Sequence, residues 1–348
     1  MSTDHPAILV INPGSTSTKV ALFATGETPH ASPREMRGET LTVDESSSRL
    51  EGILAFLGET PELECVAARG GMVRPLTAGT YLVNDRLIDD LSSHAYGDHP
   101  SNLGAPLARA VAERYGCSAI IADPVGVDEF RPEARLSGLA GIERKSFSHA
   151  LNLRATARKA AMAIGKTFEQ ARFVGVHLGG GISVAAIDTG RIIDVNNSNE
   201  GGPFTPQRTG ALPVLQLVDL CFSGAFGSAD KLKNHITRKG GLTSYLGTGS
   251  VEEVLRRIEA GDDEARRIMD GMVYQIGKEI GGMAAALGGD VDAVFLTGGF
   301  GREPVAGWIG RYVEWIAPVL VFPGEGEMVA LAEAAVRFLQ GDDEALGY

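Results

Sequence analysis

Apolar and polar positions alternate along the chain in short runs, and these runs form two similar halves. Near the N-terminus, residues 7–12 and 19–24 are apolar runs that we interpret as strands, separated by the polar turn NPGSTSTK. The same order of strand, glycine-rich turn and strand recurs in FVGVHLGGGISVAAID, where Gly180 lies 166 residues after Gly14. The pattern therefore predicts an α/β protein of two domains that arose by duplication.

Helical periodicity and turn residues predict the remaining elements. We expect helices in LGAPLARAVAERYG, ATARKAAMAIGKTFEQA, EARRIMDGMVYQIGKEIGGMAAAL and MVALAEAAVRFL, and a buried helix over 211–222. VAARGG, SAIIADP and DAVFLTGGFG have the pattern of buried strands that end at glycine or proline. No linker composition separates the halves, so we place the boundary near residue 150. The expected domains are 1–150 and 151–327, with a final helix at about 328–348 that packs back on the first domain.

The composition excludes several classes of protein. The chain has 348 residues, of which 44% are hydrophobic, and this is enough for a sizeable core. A formal net charge of -12 argues against binding to nucleic acid or to an anionic membrane. No run approaches the roughly 18 apolar residues of a membrane span, and the residues before the first strand lack the pattern of a signal peptide, so we expect none. The three cysteines are widely spaced and indicate neither disulfides nor a zinc site. We therefore expect a cytoplasmic protein.

The first polar turn has the residue types that bind phosphate. Asn12 supplies an amide, Ser15 and Ser17 supply hydroxyls, and Lys19 supplies a positive charge, while Gly14 allows a close approach to the backbone. The motif is neither a P-loop nor a dinucleotide fingerprint. An ordinary polar hairpin loop is the alternative interpretation of this segment alone.

Two further glycine clusters favour a ligand. Gly179, Gly180 and Gly181 follow one another between two apolar strands, although a hairpin turn does not need three glycines and their conformational entropy is costly. A third cluster, with Gly298, Gly299 and Gly301, follows another strand. In open α/β folds, ligands bind at the carboxyl ends of strands. The three clusters therefore predict one nucleotide held in a cleft between the two halves.

These segments resemble the acetate and butyrate kinase family of the sugar kinase, heat-shock 70 and actin superfamily. INPGSTSTKVALF is similar to the N-terminal signature of the family, VHLGGGISVAA with GRIIDVNN to its second signature, and EGGPFTPQRTG to the segment with its catalytic arginine. RKSFSHALN, VFLTGG and VFPGEGEMVALAEAAVR continue the match in order, and RGG with the PGEGEM ending resembles the butyrate kinase branch.

The resemblance implies a fold, a reaction and an assembly. The expected fold is α/β, with two duplicated ribonuclease H-like, actin-like ATPase domains and an interdomain active-site cleft. The expected reaction is the reversible, in-line transfer of the γ-phosphoryl of ATP, with Mg²⁺, to a short carboxylic acid, which is already ionised at neutral pH and needs no general base. Butyrate or isobutyrate is the expected acid, and acetate or propionate is the alternative. The resemblance also implies a homodimer or a larger homo-oligomer.

The resemblance also assigns roles to single residues. It implies phosphate binding by Asn12, Ser15, Ser17, Lys19, Gly179, Gly180 and Gly181, and nucleotide binding by Gly298, Gly299 and Gly301. It implies catalytic roles for Arg208, His149, Asp123 and His177, and substrate binding by His99 and Arg69. Asp123 and Glu327 are the implied Mg²⁺ ligands, with Glu325 left open as an alternative to Glu327.

Some family positions differ, and two other functions use the same turns. Tyr245 occupies a place where acetate kinases have an aspartate, and GGFGREP replaces their GIGEN, so the adenine contacts stay open. A sugar or alcohol kinase would need a catalytic base, which Asp123 could provide. A non-catalytic ATP-binding module would need neither Arg208 nor His149.

Overall fold

The computed structural model describes residues 7–25, 32–42, 46–58 and 62–348, which belong to two compact units. Unit 1 comprises the chain up to Asp128 together with Gly326–Tyr348, and unit 2 comprises Glu129–Glu325. The division precedes residue 150 because the segment after Asp128 hydrogen bonds with a strand of unit 2. The Ile192 N–H donates to Glu129 at 3.1 Å, and the Arg131 N–H donates to the Ile193 carbonyl at 3.0 Å.

Unit 1 is built on a six-stranded sheet. Its strands are β1 (Ala7–Pro13), β2 (Ser17–Ala24), β3 (Arg34–Thr42), β4 (Leu63–Arg69), β5 (Thr80–Leu82) and β6 (Ser118–Ala122). Its helices are α1 (Ser46–Leu57), α2 (Asp85–Ser92), α3 (Gly104–Tyr115) and α12 (Glu327–Gln340). The strand order is β3-β2-β1-β4-β6-β5, and α3 and α12 pack against β1, β4 and β6.

Unit 2 is built on a five-stranded sheet. Its strands are β7 (Arg172–Leu178), β8 (Ile182–Asp188), β9 (Arg191–Val195), β10 (Ala293–Gly298) and β11 (Val319–Pro323). Its helices are α4 (Pro132–Arg135), α5 (Ala150–Ala163), α6 (Val214–Phe222), α7 (Ala229–Arg238), α8 (Gly241–Leu246), α9 (Val251–Glu259), α10 (Asp263–Ala286) and α11 (Val305–Val313). The strand order is β11-β10-β7-β8-β9.

The two sheets share one topology. In unit 1, β1 pairs antiparallel with β2 and parallel with β4, β2 pairs antiparallel with β3, and β4 pairs parallel with β6. The strands β7, β8, β9, β10 and β11 repeat this scheme in the same order and with the same directions. The internal duplication expected from the sequence is therefore confirmed.

Apolar side chains from strands and helices form the core of each unit. In unit 1, Leu9, Val66 and Ile121 from three neighbouring strands pack with helix residues such as Leu87. In unit 2, the core includes Val176, Val184 and Leu296 from the sheet and Met272 and Ile276 from α10. The central strands are apolar almost throughout, as is typical of strands covered on both faces. No helix within the described residues combines the length and apolarity that crossing a membrane requires.

Two helices differ from the expectation. Helix α5 begins at Ala150 and ends at Ala163, earlier than its periodicity indicated, and Gly165 follows it in the left-handed region with φ +70°. The segment 211–222 does contain a helix, but no residue of α6 is buried, and Leu215 and Phe222 are 80% and 87% exposed. The predicted burial of this helix is wrong. An apolar run indicates that a helix tends to be covered, but it does not indicate whether the same chain or a partner covers it.

Candidate active site

In unit 1, the β1–β2 hairpin displays a polar turn next to a buried strand end. Asn12 and Lys19 are cross-strand neighbours, and the Gly14 N–H donates to the Ser17 carbonyl at 2.7 Å across the turn. Asn12 is buried, whereas Ser15 and Lys19 are exposed. The hairpin therefore presents a hydroxyl and a lysine to the outside while its base is fixed in the sheet.

A carboxylate from a distant part of the chain lies at the base of this hairpin. Glu327 begins α12, and its Oε2 accepts hydrogen bonds from Asn12 Nδ2 at 2.8 Å and from Arg69 Nη1 at 3.1 Å. Asn12 and Arg69 come together because β1 and β4 are parallel neighbours whose carboxyl ends meet at one edge of the sheet. The Glu327 side chain therefore contacts Asn12, one of the predicted phosphate-binding residues.

Asp123 follows β6 in an uncommon backbone conformation. Its φ is +39°, which Asp and Asn adopt more readily than other residues. Its Oδ1 accepts the Gly79 N–H at 2.8 Å, and its own N–H donates to the Gly79 carbonyl at 2.9 Å. Asp123 is thus held at the carboxyl end of a strand and caps a loop, not a helix.

The two glycines after Arg69 have a packing role. A β-carbon at Gly70 would lie 2.5 Å from Pro124 Cβ, and one at Gly71 would lie 2.2 Å from Asn102 Oδ1. His99 lies near this contact in the sequence, and its Nδ1 accepts the Ser101 N–H at 3.2 Å. His99 therefore caps the short 3₁₀ turn Pro100–Leu103, and its substrate contact stays a prediction.

In unit 2, an asparagine determines the orientation of His177. The Asn152 amide nitrogen donates to the Glu325 carbonyl, so its oxygen faces His177 Nδ1 at 2.7 Å. This geometry assigns a proton to Nδ1. The other ring nitrogen, Nε2, lies 3.0 Å from the position of a β-carbon at Gly179. His177 is 3% exposed, and its Nε2 lies beside the first glycine of the turn.

His149 lies against His177. The two imidazole rings stack with centroids 3.9 Å apart and planes inclined by 13°. His149 Nδ1 hydrogen bonds with the hydroxyl of Ser183 at 2.9 Å, and Ser183 is the cross-strand neighbour of His177. Residues just before α5, on β7 and on β8 therefore bring His149 and His177 together. The catalytic roles of the two histidines stay predictions.

Arg208 lies at the other end of the same glycine turn. A β-carbon at Gly181 would lie 2.7 Å from its Nη1, and Nη1 donates to the Ser198 hydroxyl. Burial, and then the charge of Arg238, lower the pKa of Arg208 from its ordinary value. Desolvation of a guanidinium without a carboxylate partner is costly, and an anionic ligand would offset that cost.

The loop that carries Arg208 is rigid because backbone and side-chain hydrogen bonds cross it. Thr205 is fully buried; its hydroxyl accepts the N–H of Arg208 at 3.0 Å and donates to the Gly180 carbonyl at 2.7 Å. The Arg208 carbonyl in turn accepts the Thr205 N–H at 3.0 Å. The loop of Arg208 is therefore connected by hydrogen bonds directly to the glycine turn 179–181.

The glycines divide into two groups. Gly181, Gly298 and Gly301 are required by packing, since their β-carbons would lie 2.7 Å or less from Arg208 or from the backbone of Leu178 and Thr297. Gly180 and Gly299 have no such contact and no positive φ. Gly179 lies between these groups, because its β-carbon would be 3.0 Å from His177 Nε2. Of these six glycines, Gly180 and Gly299 are required neither by packing nor by φ, which fits the close approach of a ligand.

The donor set fits a magnesium ion that is bound mainly by phosphate and water. Within 7–25, 32–42, 46–58 and 62–348, no three His, Cys, Asp or Glu side chains converge on one point. Mg²⁺ usually takes only one or two carboxylates with phosphate oxygens and water. Asp123 and Glu327, both half-buried, supply that number of carboxylates in unit 1.

Three residues of this arrangement are absent from the sequence-based prediction. Arg49 lies under the first hairpin, Asn152 orients His177, and Ser198 binds the Arg208 guanidinium. The sequence neighbourhoods of Arg49 and Ser198 carry no local signal for these contacts. Asn152 alone had one, because it lies three residues after His149 and therefore about one helical turn away.

Comparison with known proteins agrees with this geometry. The sequence profile of the acetokinase family matches residues 139–307. The chain is 45% identical over 346 residues to "Probable butyrate kinase 2" of Caldanaerobacter subterraneus subsp. tengcongensis, covering 97% of this chain and 98% of that protein. It is 46% identical over 351 residues to "Probable butyrate kinase" of Enterococcus faecalis, covering 98% and 97%. The crystal structure of Porphyromonas gingivalis acetate kinase superimposes with a TM-score of 0.79 at 19% identity, covering 95% of this chain and 99% of that one.

The chain therefore belongs to the acetokinase family. This membership makes it a carboxylate kinase, with ATP as its phosphoryl donor, and the family resemblance stated from the sequence is confirmed. The structural superposition confirms the duplicated α/β fold.

Proposed function

We propose that the protein phosphorylates a short carboxylic acid, butyrate or isobutyrate in preference to acetate. The observation that carries the proposal is the half-buried Arg208 guanidinium beside Gly181, whose partner among the described residues is the neutral hydroxyl of Ser198. A half-buried cation of this kind suits the charge that spreads over the oxygens of a transferring phosphoryl group. The names of the two curated relatives support butyrate as the acid.

The proposed chemistry is a direct in-line transfer. The carboxylate oxygen attacks the γ-phosphorus of ATP, the bond to the β–γ bridging oxygen breaks, and ADP leaves with the electron pair. In unit 2, we assign Arg208, His149 and His177 to the equatorial phosphoryl oxygens, with Gly180 providing close backbone approach. A carboxylate acceptor needs no general base at neutral pH, so positioning and charge dominate the catalysis.

Residues of unit 1 complete the proposed assignments. Asn12, Ser15, Ser17 and Lys19 bind phosphate oxygens, and Arg69 with His99 binds the acid. Arg69 also pairs with Glu327, which supports a shared role of these two side chains. Asp123 and Glu327 hold Mg²⁺, which when bound neutralises part of the phosphate charge. Gly299 is the best supported of the nucleotide-binding glycines, because neither packing nor φ explains it.

The test of the activity is steady-state kinetics with ATP, Mg²⁺ and acids of two to six carbons. Hydroxylamine traps the acyl phosphate and reports the product directly. We expect kcat/KM for butyrate or isobutyrate to exceed that for acetate. Equal or better use of acetate would contradict the butyrate assignment, and a lack of acyl phosphate with every acid would contradict carboxylate kinase activity.

We also propose that the protein forms a homodimer or a larger homo-oligomer through α6. This helix exposes Val214, Leu215, Val218 and Phe222, and an apolar surface of this kind is typical of a protein–protein contact. Sedimentation of the Leu215→Glu, Phe222→Glu double variant is the test. A smaller species than wild type is expected, and an unchanged mass would contradict the assignment of this surface.

A further inference from the structure

Arg49 of α1 is a buried arginine whose side chain lies under the β1–β2 hairpin. It is 3% exposed. Its Nη1 donates to the Ser17 carbonyl at 3.0 Å and to the Thr18 hydroxyl at 2.6 Å, and its Nη2 donates to the Ser15 carbonyl at 3.2 Å. A single guanidinium therefore bridges both sides of the turn.

These contacts control which backbone atoms the turn presents. Carbonyl oxygens carry partial negative charge and would repel a polyphosphate, whereas N–H groups and hydroxyls would bind it. Arg49 holds the carbonyls of Ser15 and Ser17 on the protein side, and the Ser17 carbonyl also accepts the Gly14 N–H at 2.7 Å. The exposed side of the turn is left with the Ser15 and Thr16 side chains and with Lys19.

The charge of Arg49 points to the same ligand. Among the described residues, the partners of its guanidinium are neutral oxygens, two carbonyls and one hydroxyl. A buried cation normally has an anionic partner, because desolvation of an unpaired charge is costly. Polyphosphate bound on the outer side of the same turn would supply that negative charge a short distance away, with the turn between them.

We infer that Arg49 is a positioning residue for the phosphates of ATP: it fixes the 14–17 turn in its binding conformation and adds positive charge beneath it. This inference rests on the proposed function, because it assigns that turn to ATP. Arg49 does not act on the carboxylic acid. Loss of the Arg49 guanidinium should therefore weaken the binding of ATP and leave the binding of the carboxylic acid unchanged.

The test compares Arg49→Lys with a matched control, Arg37→Lys. Arg37 also donates to backbone carbonyls of α1, those of Phe56 and Leu57, but at the end of the helix away from the turn. Each variant removes guanidinium-to-carbonyl hydrogen bonds that involve α1, but only the hydrogen bonds of Arg49 connect this helix to the hairpin turn. Thr18→Val is the milder second variant, since it removes one acceptor of Arg49 and keeps the shape of a buried, β-branched side chain.

The measurements are the KM values for ATP and for butyrate, and the affinity for inorganic triphosphate by calorimetry. Arg49→Lys should raise the KM for ATP at least about tenfold, as loss of a charged hydrogen bond does, and Thr18→Val should raise it by less. The KM for butyrate should stay within about twofold in all three variants, and Arg37→Lys should match wild type for ATP.

The outcomes separate this inference from the proposed function. A folded Arg49→Lys or Thr18→Val protein with wild-type KM for ATP and wild-type triphosphate affinity overturns the role of Arg49. An equal rise in Arg37→Lys also overturns it, because docking of α1 would then be the cause. If the wild type binds triphosphate but forms no acyl phosphate, the proposed function fails, and the triphosphate titration of the variants still decides the role of Arg49.

Discussion

Replacement of Gly181 by alanine tests whether the Arg208 guanidinium must lie where the structure has it. The added β-carbon would be 2.7 Å from Nη1 and 2.8 Å from Cζ of Arg208. The φ of Gly181 lies outside the left-handed region, so alanine adds no backbone strain there. The guanidinium at the end of the Arg208 side chain is therefore the group that must move.

The magnitude follows from these distances. Ordinary van der Waals contact begins near 3.4 Å, so the guanidinium must move by about 0.7 Å, and its hydrogen bond to Ser198 is disturbed. A misplacement of about 1 Å in a catalytic arrangement costs on the order of a hundredfold in rate. We therefore expect Gly181→Ala to lower kcat by about ten- to a hundredfold, or about 1.4–2.7 kcal/mol of transition-state stabilisation.

The assay is acyl hydroxamate formation at saturating ATP and butyrate, with a thermal melt of each variant. Gly180→Ala is the companion variant, since the nearest atom to its β-carbon is Gln207 Oε1 at 3.8 Å. Gly180→Ala should raise the KM for ATP and leave Arg208 in place, whereas Gly181→Ala should lower kcat with an almost unchanged melting temperature. If Gly181→Ala keeps kcat within threefold of wild type, the reasoning about the position of Arg208 is refuted.

Three further predictions concern single site residues. Arg208→Ala should lower kcat at least about a hundredfold, and Arg208→Lys should recover only part of the rate because lysine lacks the planar guanidinium fork. A folded Arg208→Ala protein with kcat within a few-fold of wild type would show that Arg208 is a surface charge without a catalytic role. Lys19→Ala should raise the KM for ATP without lowering the melting temperature, because Lys19 is exposed. Unchanged kinetics would contradict the role of the hairpin in phosphate binding. Asp123→Asn should fold, because asparagine keeps an acceptor for the Gly79 N–H and tolerates a φ of +39°. The variant should raise the half-saturating Mg²⁺ concentration about tenfold or more and lower kcat, and a wild-type Mg²⁺ dependence would contradict the role of Asp123 as a ligand.

Local patterns predicted much of the fold. The alternation of apolar runs and polar turns located both hairpins, and β1 and β2 differ from the predicted strands by one or two residues at the turn. A local contact also begins α9, since the Ser250 hydroxyl accepts the Glu253 N–H at 3.2 Å. These features depend on neighbours in sequence, and such features are the ones that a sequence expresses most directly.

Contacts between distant residues could not be predicted in this way. In the sequence, nothing distinguishes Arg49 from any other charged residue of a helix. Only the packing of α1 brings its side chain to Ser15 and Ser17. The sequence predicts phosphate binding by the third glycine of the 179–181 turn, and the structure adds a neighbour that the sequence does not show, the Arg208 side chain 27 residues later. The roles of the site residues themselves stay predictions, which the variants above test.

The placement of α12 in unit 1 has a consequence for biosynthesis. Leu331 of this helix is fully buried, and the helix packs on β1, β4 and β6. The ribosome makes roughly 200 residues between Asp128 and Gly326, which takes about 10–40 s at ordinary rates of synthesis. Unit 2 is one continuous stretch and is complete before α12 exists. Unit 2 can therefore fold while unit 1 still lacks α12, and the apolar surface of β1, β4 and β6 that this helix covers stays accessible to chaperones until then.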